Sequence, residues 1–245
     1  MIFPGFGTII NIVAIILGSL IGILLGKKFK EDTKNLITDV LGFITLISGA
    51  AAIYSIWNVD FVKAVPTGWT LLTVLGALLL GAIVGSVLNI EARLEKAGEK
   101  LKSKFDPNGA SPFVDGFVSA SLIFAIGPLA ILGSISDGMG TGIDQLILKS
   151  MLDFFAAIAF AASLGWGVAV SAVAVGVYQG IWTLLGFGLG SILSDYQIAA
   201  MTAVGGVMLL GIALRLLKIR DIAVGNLLPA LAIAPALALL VHQFV

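Results

Sequence analysis

The sequence predicts an all-α polytopic membrane protein with about eight transmembrane helices. Composition is the first reason: 59% of the 245 residues are hydrophobic and 11% are charged, whereas about a quarter of the residues in a soluble domain are charged. The second reason is that apolar runs of about 20 residues, which is enough to cross a bilayer, recur along the chain. The third is that Lys and Arg cluster between alternate runs. We expect one transmembrane domain over residues 1–245.

Eight apolar runs are long enough to span a membrane. The first run is followed, not preceded, by lysines, which is the reverse of a secretory signal, so we interpret it as a retained helix. The uncharged stretch 154–194 is about two spans long and is divided at "SLGWG" (163–167), where two glycines can turn the backbone. The predicted spans are 5–26, 36–57, 68–90, 113–135, 146–164, 167–191, 196–217 and 226–244.

Basic residues support this division. With eight spans, twelve of the fourteen Lys and Arg residues fall on one side of the membrane, and only Lys63 and Lys149 fall on the other. The positive-inside rule makes the basic side cytoplasmic, so both termini are predicted outside. If 113–135 were a re-entrant loop, the basic segment 215–220 would move outside, so eight spans are favoured.

The longest loop contains an amphipathic segment, 91–105. Leu94, Ala97, Leu101 and Phe105 share one face, and lysines surround it. We expect this segment to lie on the inner leaflet, with its basic residues near anionic lipid, and docking to a partner is the alternative.

Small residues form two stripes at four-residue spacing. Gly18, Gly22 and Gly26 lie on span 1, and Ala77, Gly81 and Gly85 lie on span 3. Such stripes let helices approach closely in lipid. Because spans 1 and 3 run in the same direction, we expect them to pack together.

Two pairs of segments are similar in sequence. "LGSLIGILL" (17–25) matches "LGAIVGSVL" (80–88), and "AIGPLAIL" (125–132) matches "AIAPALAL" (232–239). Internal repeats are typical of transporters. The pairs do not share one offset, so the symmetry of a repeat stays open.

Prolines and polar residues inside the spans indicate a candidate site. Pro128 in span 4 and Pro229 and Pro235 in span 8 predict kinks or breaks, which serve either packing or a polar site. Lys149 and Asp153 are four residues apart on span 5, so Asp153 either pairs with Lys149 or faces the bundle interior. The candidate residues for binding a substrate or an ion are Asp153, Asp137, Asp115, Ser119, Gly127, Pro128, Ser134, Gln179, Asn226 and Pro229.

The sequence lacks the residues that several classes of function require. The chain has no cysteine, and His242 is its single histidine, so thiolate chemistry, a zinc protease motif and a Ser-His pair are not indicated. There is no P-loop, and the net charge is zero, which gives no reason to expect a nucleic-acid partner. We expect no enzyme activity, no catalytic residue, no metal and no cofactor.

Some longer segments carry a family resemblance. The sequence resembles the YqgA-like family of bacterial inner-membrane proteins, which is domain-of-unknown-function family 554. The resemblance implies a multi-pass protein of the bacterial cytoplasmic membrane, with Asp137, Asp153, Gln179 and Asn226 in the motif set. The segments that carry it are "FVDGFVSASLIFAIGPLAILGSISDG" (113–138), "KSMLDFFAAIAFAASLG" (149–165), "YQG" (178–180), "AVGGVMLLGIALRLL" (203–217), "VGNLLPALAIAP" (224–235) and the opening "GTIINIVAIILGSLIGILLGK" (7–27).

Two positions depart from the family pattern. Asp115 stands where the family would carry the longer Glu, and Phe154 stands beside Asp153 where a Gly is more usual. The bulk of Phe154 argues against a wide polar cavity at that point.

The predicted function is secondary transport or facilitated passage of a small polar solute, coupled to an ion or a proton through intramembrane carboxylates. A buried carboxylate suits this work because it can bind and release a proton on each cycle. The alternative is a scaffold or subunit that binds a partner chain through the glycine-rich helix faces. The expected partners are the lipid bilayer and a small solute or ion, and a homo-oligomer is left open.

Overall fold

The structure is a computed structural model that describes residues 3–66, 68–105, 112–125, 128–140, 142–189 and 193–244. Within these ranges the chain forms α-helices and two short 3₁₀ turns, Tyr54–Trp57 and Val224–Leu227, and no strand. The α-helices are α1 (Phe6–Gly26), α2 (Glu31–Ile53), α3 (Val59–Ala64), α4 (Trp69–Leu88), α5 (Ile90–Phe105), α6 (Phe113–Ala125), α7 (Pro128–Met139), α8 (Asp144–Leu164), α9 (Trp166–Leu189), α10 (Asp195–Leu216) and α11 (Pro229–Phe244).

The predicted spans correspond to these helices. Within the described ranges, seven helical segments are long and apolar enough to cross a membrane. The eighth predicted span is a pair, α6 and α7, which bend by 82° at the break between them. The all-helical class and the break in span 4 are therefore confirmed.

Two local predictions are also confirmed. α8 ends at Leu164 and α9 begins at Trp166, so the predicted turn falls at Gly165, whose φ of +73° is readily adopted only by glycine. The amphipathic segment forms α5. Its Gly98 lies against α6, where a Cβ would be 3.0 Å from Phe117 Cδ1, so part of its apolar face is covered by protein.

Span 8 differs from the expectation in one respect. Pro229 is the first residue of α11, a position where the missing N–H is not needed. α11 then continues through Pro235 to Phe244, so the chain is not broken at Pro235. The irregular part of span 8 is instead the 3₁₀ turn that precedes Pro229.

The helices group into two compact units, each built from two separate stretches of chain. Unit 1 comprises Met1–Leu41 and Glu95–Ile192, and unit 2 comprises Gly42–Leu94 and Leu193–Val245. The single transmembrane domain expected from the sequence stays a prediction.

In unit 1, α1 packs closely along α8. A Cβ at Gly18, Gly22 or Gly26 would meet the backbone carbonyls of Phe154, Ile158 and Ala162, respectively. Residue numbers increase in the same direction along both helices, so α1 and α8 are parallel. The prediction that the stripe serves close packing is confirmed, but its predicted partner was wrong, because the stripe contacts α8.

In unit 2, the second stripe packs against the start of span 8. A Cβ at Gly81 would lie 2.7 Å from Ala230 N, and one at Gly85 would lie 2.6 Å from the carbonyl carbon of Asn226. Gly81 lies against Ala230, and Gly85, one turn further along α4, lies against the earlier residue Asn226. The chain directions of α4 and of the start of span 8 are therefore antiparallel. The two backbones can approach this closely only because glycine has no side chain.

The bent pair α6–α7 runs from one end of unit 1 to the other. α6 begins beside the α8–α9 turn, where a Cβ at Gly116 would be 2.9 Å from the Leu164 carbonyl oxygen. α7 ends beside the start of α1, where Asp137 binds the N–H of Gly7. Since α1 and α8 are parallel and Gly26 lies at Ala162, these two points are at opposite ends of α1. This path favours one broken crossing over a re-entrant loop.

Candidate functional site

A buried ion pair lies within α8. Lys149 and Asp153 are 6% and 8% exposed, and the Lys149 ammonium donates a hydrogen bond to Asp153 Oδ2. The four-residue spacing places both side chains on one helix face. The sequence left open whether Asp153 pairs with Lys149 or faces the interior, and the structure shows both. Two charges are therefore held in an apolar span, where they stabilise one another.

The Asn11 side chain of α1 lies beside this ion pair. Asn11 is fully buried and close to the Asp153 carboxylate. Within the described part of the protein, neither Oδ1 nor Nδ2 of Asn11 forms a hydrogen bond of normal geometry. The sequence analysis did not place Asn11 in the candidate site, because one amide in an apolar helix is usually a bridge between helices.

Gln179 on α9 is a second buried amide without a partner. It is fully buried, and neither of its amide atoms has a hydrogen-bond partner among the described residues. α9 runs antiparallel to α1: the hydroxyls of Thr8 and Thr183 are 3.4 Å apart, and a Cβ at Gly176 would be 2.7 Å from Ile12 Cδ1. This register brings Gln179 to the level of Asn11.

We refer to Asn11, Lys149, Asp153 and Gln179 as the polar layer. Leaving a buried polar group unpaired costs about 1–3 kcal/mol, and such groups are rare in native proteins. The polar layer holds two such amides, of which Asn11 lies beside the buried ion pair and Gln179 lies at the level of Asn11. This is an arrangement that a bound polar molecule would satisfy.

Asp137 and Ser134 on α7 both form hydrogen bonds to backbone groups. Asp137 is 2% exposed and caps the start of α1, accepting from the N–H of Gly7 at 3.0 Å and of Thr8 at 3.4 Å. A carboxylate is favourable there because the helix N-terminus carries partial positive charge. Ser134 is fully buried and donates to the Ala130 carbonyl at 2.6 Å.

The remaining candidates of span 4 are dispersed. Asp115 is exposed in the first turn of α6, while Ser119 is buried one turn later. Pro128 is the first residue of α7. Gly127 lies outside the described residues.

Asn226 and Pro229 belong to unit 2, around a charged residue that the sequence analysis missed. Glu91 is 7% exposed. Its carboxylate accepts from Arg215 Nη1 at 2.5 Å and from the N–H of Gly225 at 2.6 Å. The N–H of Glu91 donates to Asn226 Oδ1 at 2.9 Å, so Asn226 caps the start of α5. These bonds fix the corner between α4 and α5 to the turn before α11.

The sequence analysis placed Glu91 only at the start of the amphipathic segment 91–105. No local pattern could have found it, because Gly225 and Asn226, which bond to it, are 134 and 135 positions away in the chain. A Cβ at Gly225 would lie 3.3 Å from Glu91 Cα. A side chain at position 225 would therefore crowd Glu91.

The chain is similar along most of its length to known proteins. A family model described as "Protein of unknown function (DUF554)" matches residues 6–239. The chain is 30% identical over 239 residues to the uncharacterized membrane protein YdfK of Bacillus subtilis (strain 168), covering 98% of each chain. It is 29% identical over 236 residues to the uncharacterized protein YqgA of Escherichia coli (strain K12), covering 95% of each. No solved structure shows significant similarity to it.

Proposed function

Since the chain belongs to the DUF554 family, whose description assigns no function, we propose a function from its own geometry: transport or facilitated passage of a small polar solute. The chain is a multi-pass bacterial membrane protein, as its helices and its resemblance to YdfK indicate. Within this function, we propose that the polar layer in unit 1 binds the solute during passage.

The observation that carries the proposal is the unpaired state of Asn11 and Gln179. Both amides are fully buried in spans, and among the described residues none of their polar atoms forms a hydrogen bond of normal geometry. An apolar side chain at either position would remove that penalty. A solute with both hydrogen-bond donors and acceptors would satisfy both amides, which is a reason for a membrane protein to keep them.

The broken span supports the same proposal. Discontinuous helices line the binding sites of many secondary transporters, because their free backbone groups can face a cavity. α6 and α7 form such a pair, and α7 contacts α1 and α9, which carry the two amides. The Lys149–Asp153 pair is the proposed point of coupling to an ion or a proton.

The glycine stripes behind the scaffold alternative are already used for packing within the protein. This alternative relied on glycine-rich helix faces that would bind a partner chain. The glycines of both stripes already face α8 or the start of span 8, at distances that leave no room for another helix. We therefore favour transport, and we propose no enzymatic activity for the chain.

A thermal-shift screen of the purified protein tests the proposal. A solute at 100 times its Kd should stabilise the protein by about 2.7 kcal/mol. We expect a neutral or zwitterionic polar solute to give this shift in the native chain and no shift in Gln179→Met or Asn11→Leu. The matched control is Gln197→Met in unit 2, which changes a buried glutamine of a different environment and should keep the shift. A broad panel without any shift would contradict the proposal.

A further inference from the structure

Three helices of unit 1 meet at the N-terminal end of α1. The Asp137 carboxylate on α7 accepts hydrogen bonds from the N–H groups of Gly7 and Thr8, at 3.0 Å and 3.4 Å. The hydroxyl oxygens of Thr8 and Thr183 are 3.4 Å apart and join α1 to α9. A Cβ at Gly138 would collide with the Thr183 carbonyl oxygen, so α7 also packs directly on α9. Each of the three helices therefore contacts the other two at this point.

The two hydroxyls lie one helical turn from the unpaired amides. Asn11 follows Thr8 by three residues on α1, and Gln179 precedes Thr183 by four residues on α9. Because α1 and α9 are antiparallel, both amides lie on the same side of the hydroxyl pair. Along the contact between α1 and α9, the pair thus separates the amides from the N-terminal end of α1. The distribution of Lys and Arg predicts that this end is outside.

The contacts that close this end can be replaced by water. Thr8, Thr183 and Asp137 are buried at 6%, 6% and 2% exposure. Their contacts are hydrogen bonds to N–H and hydroxyl groups, which water can form equally well, so the net cost of separating them is modest. The packing of α1 on α8 at Gly22 is different, because its separation would leave a gap between two tightly packed backbones. The N-terminal end of α1 is therefore easier to open than its contact with α8.

We propose that Thr8, Thr183 and Asp137 form a gate through which a polar solute reaches Asn11 and Gln179. This proposal rests on the proposed function and deepens it by naming where the solute enters. In the closed gate, Asp137 holds α1 against α7 and the two hydroxyls meet. In the open gate, water or the solute takes the place of each broken hydrogen bond. The hydroxyl pair therefore favours solutes with hydrogen-bonding groups over apolar ones.

Cysteine labelling tests the gate without any solute, because the chain has no cysteine of its own. The reporter is Gln179→Cys in the full chain, purified in detergent and treated with a positively charged methanethiosulfonate, which reacts with thiols that water reaches. We expect slow modification of this buried position, and modification about tenfold faster when Asp137→Asn is added, because a neutral amide accepts from the two N–H groups less strongly. Asp144→Asn, which changes an exposed carboxylate in the first turn of α8, should leave the rate unchanged.

A second reporter separates opening of the gate from general loosening of the protein. Val168 is fully buried near the other end of α9. We expect the modification rate of Val168→Cys to be the same with and without Asp137→Asn. An equal acceleration at both reporters would show that Asp137 only stabilises the fold, and it would overturn the gate. An unchanged rate at Gln179→Cys would overturn it as well.

A second variant leaves Asp137 in place. Thr183→Ala removes one hydroxyl and shortens the side chain that meets Thr8, so modification of Gln179→Cys should again be faster than with Thr183 present. This variant decides the question if Asp137→Asn does not fold, and an unchanged rate contradicts the gate. The thermal-shift screen then separates the two proposals. If solutes stabilise the protein but neither variant changes the labelling rate, the proposed function stands without this gate; if solutes give no shift either, both proposals fail.

Discussion

At the scale of single residues, two buried glutamines differ in whether their amide groups are hydrogen-bonded within the protein. Gln197 accepts from the N–H of Ser194 at 2.9 Å and donates to the Pro235 carbonyl at 3.0 Å. Gln179 is at least as buried, but neither of its amide atoms has a partner among the described residues. The first amide holds α10 and α11 together, and the second is free to bind something else.

This contrast predicts opposite effects of one substitution. Gln179→Met should raise the free energy of unfolding by about 1 kcal/mol, because it removes an unpaired buried amide with little change in shape. Gln197→Met should lower it by about 1–2 kcal/mol, because it leaves two bonded backbone groups unpaired. Denaturation of each variant in detergent measures both. A loss of stability in Gln179→Met equal to that in Gln197→Met would show that Gln179 is bonded in solution.

The ion pair of the polar layer predicts strong coupling between its members. Lys149→Met should cost about 3–5 kcal/mol, because it strands a charged carboxylate in the span. Adding Asp153→Leu to that variant should recover most of the loss, because no charge is then left buried. A double-mutant cycle of unfolding free energies checks this. Additive effects of the two substitutions would mean that the side chains do not interact.

At the scale of elements, close approach of helices depends on where glycines lie. α1 approaches α8 at Gly18, Gly22 and Gly26, where the backbone carbonyls of α8 occupy the place of a side chain. By contrast, a Cβ at Gly180 on α9 would meet no described atom within 4 Å. The same residue type is therefore required for packing in one helix and tolerant in another.

Leucine substitutions separate these two kinds of glycine. Gly22→Leu should force α1 away from α8 and lower stability by about 3 kcal/mol or more. Gly180→Leu, the matched control, should be neutral or stabilise α9 by up to about 1 kcal/mol, because leucine favours the helix more than glycine does. Thermal unfolding followed by gel filtration distinguishes the two. Equal tolerance at both positions would exclude the close α1–α8 contact.

Elements were easier to predict than their partners. Span length and charge order located the helices, and the two glycines at 163–167 located the α8–α9 turn, because both are local properties. The partner of each glycine stripe could not be read in the same way, since apolar helix faces are alike in lipid. Of the site, the i, i+4 spacing indicated the Lys149–Asp153 pair as one of two alternatives. The level shared by Asn11 and Gln179 depends on the register of α1 against α9, which no local pattern encodes.

At the scale of the whole molecule, the number of crossings determines the side on which each terminus lies. Among the described residues, seven helical segments are long and apolar enough to cross a membrane, and counting the broken pair α6–α7 as one span gives eight crossings. An even number places both termini on the same side, and the distribution of Lys and Arg predicts that this side is the outside.

Single-cysteine labelling tests this topology without further engineering, because the chain has no cysteine of its own. Phe3→Cys and Phe244→Cys should both react with a membrane-impermeant maleimide on spheroplasts. Arg93→Cys, at an exposed position in α5, should react only after permeabilisation. Labelling of just one terminus would mean an odd number of crossings.

The packing partners of α1 and α4 are synthesised well after these two helices. At about 5–20 residues per second, roughly ten to thirty seconds separate the synthesis of α4 from that of α11. During this interval the small-residue face of α4 has no native partner, and the same holds for α1 until α8 is made. The two stripes that the folded protein uses for α8 and α11 are then uncovered together in the bilayer. A nascent chain of this protein must therefore either keep α1 and α4 apart or undo their pairing before its last helix inserts.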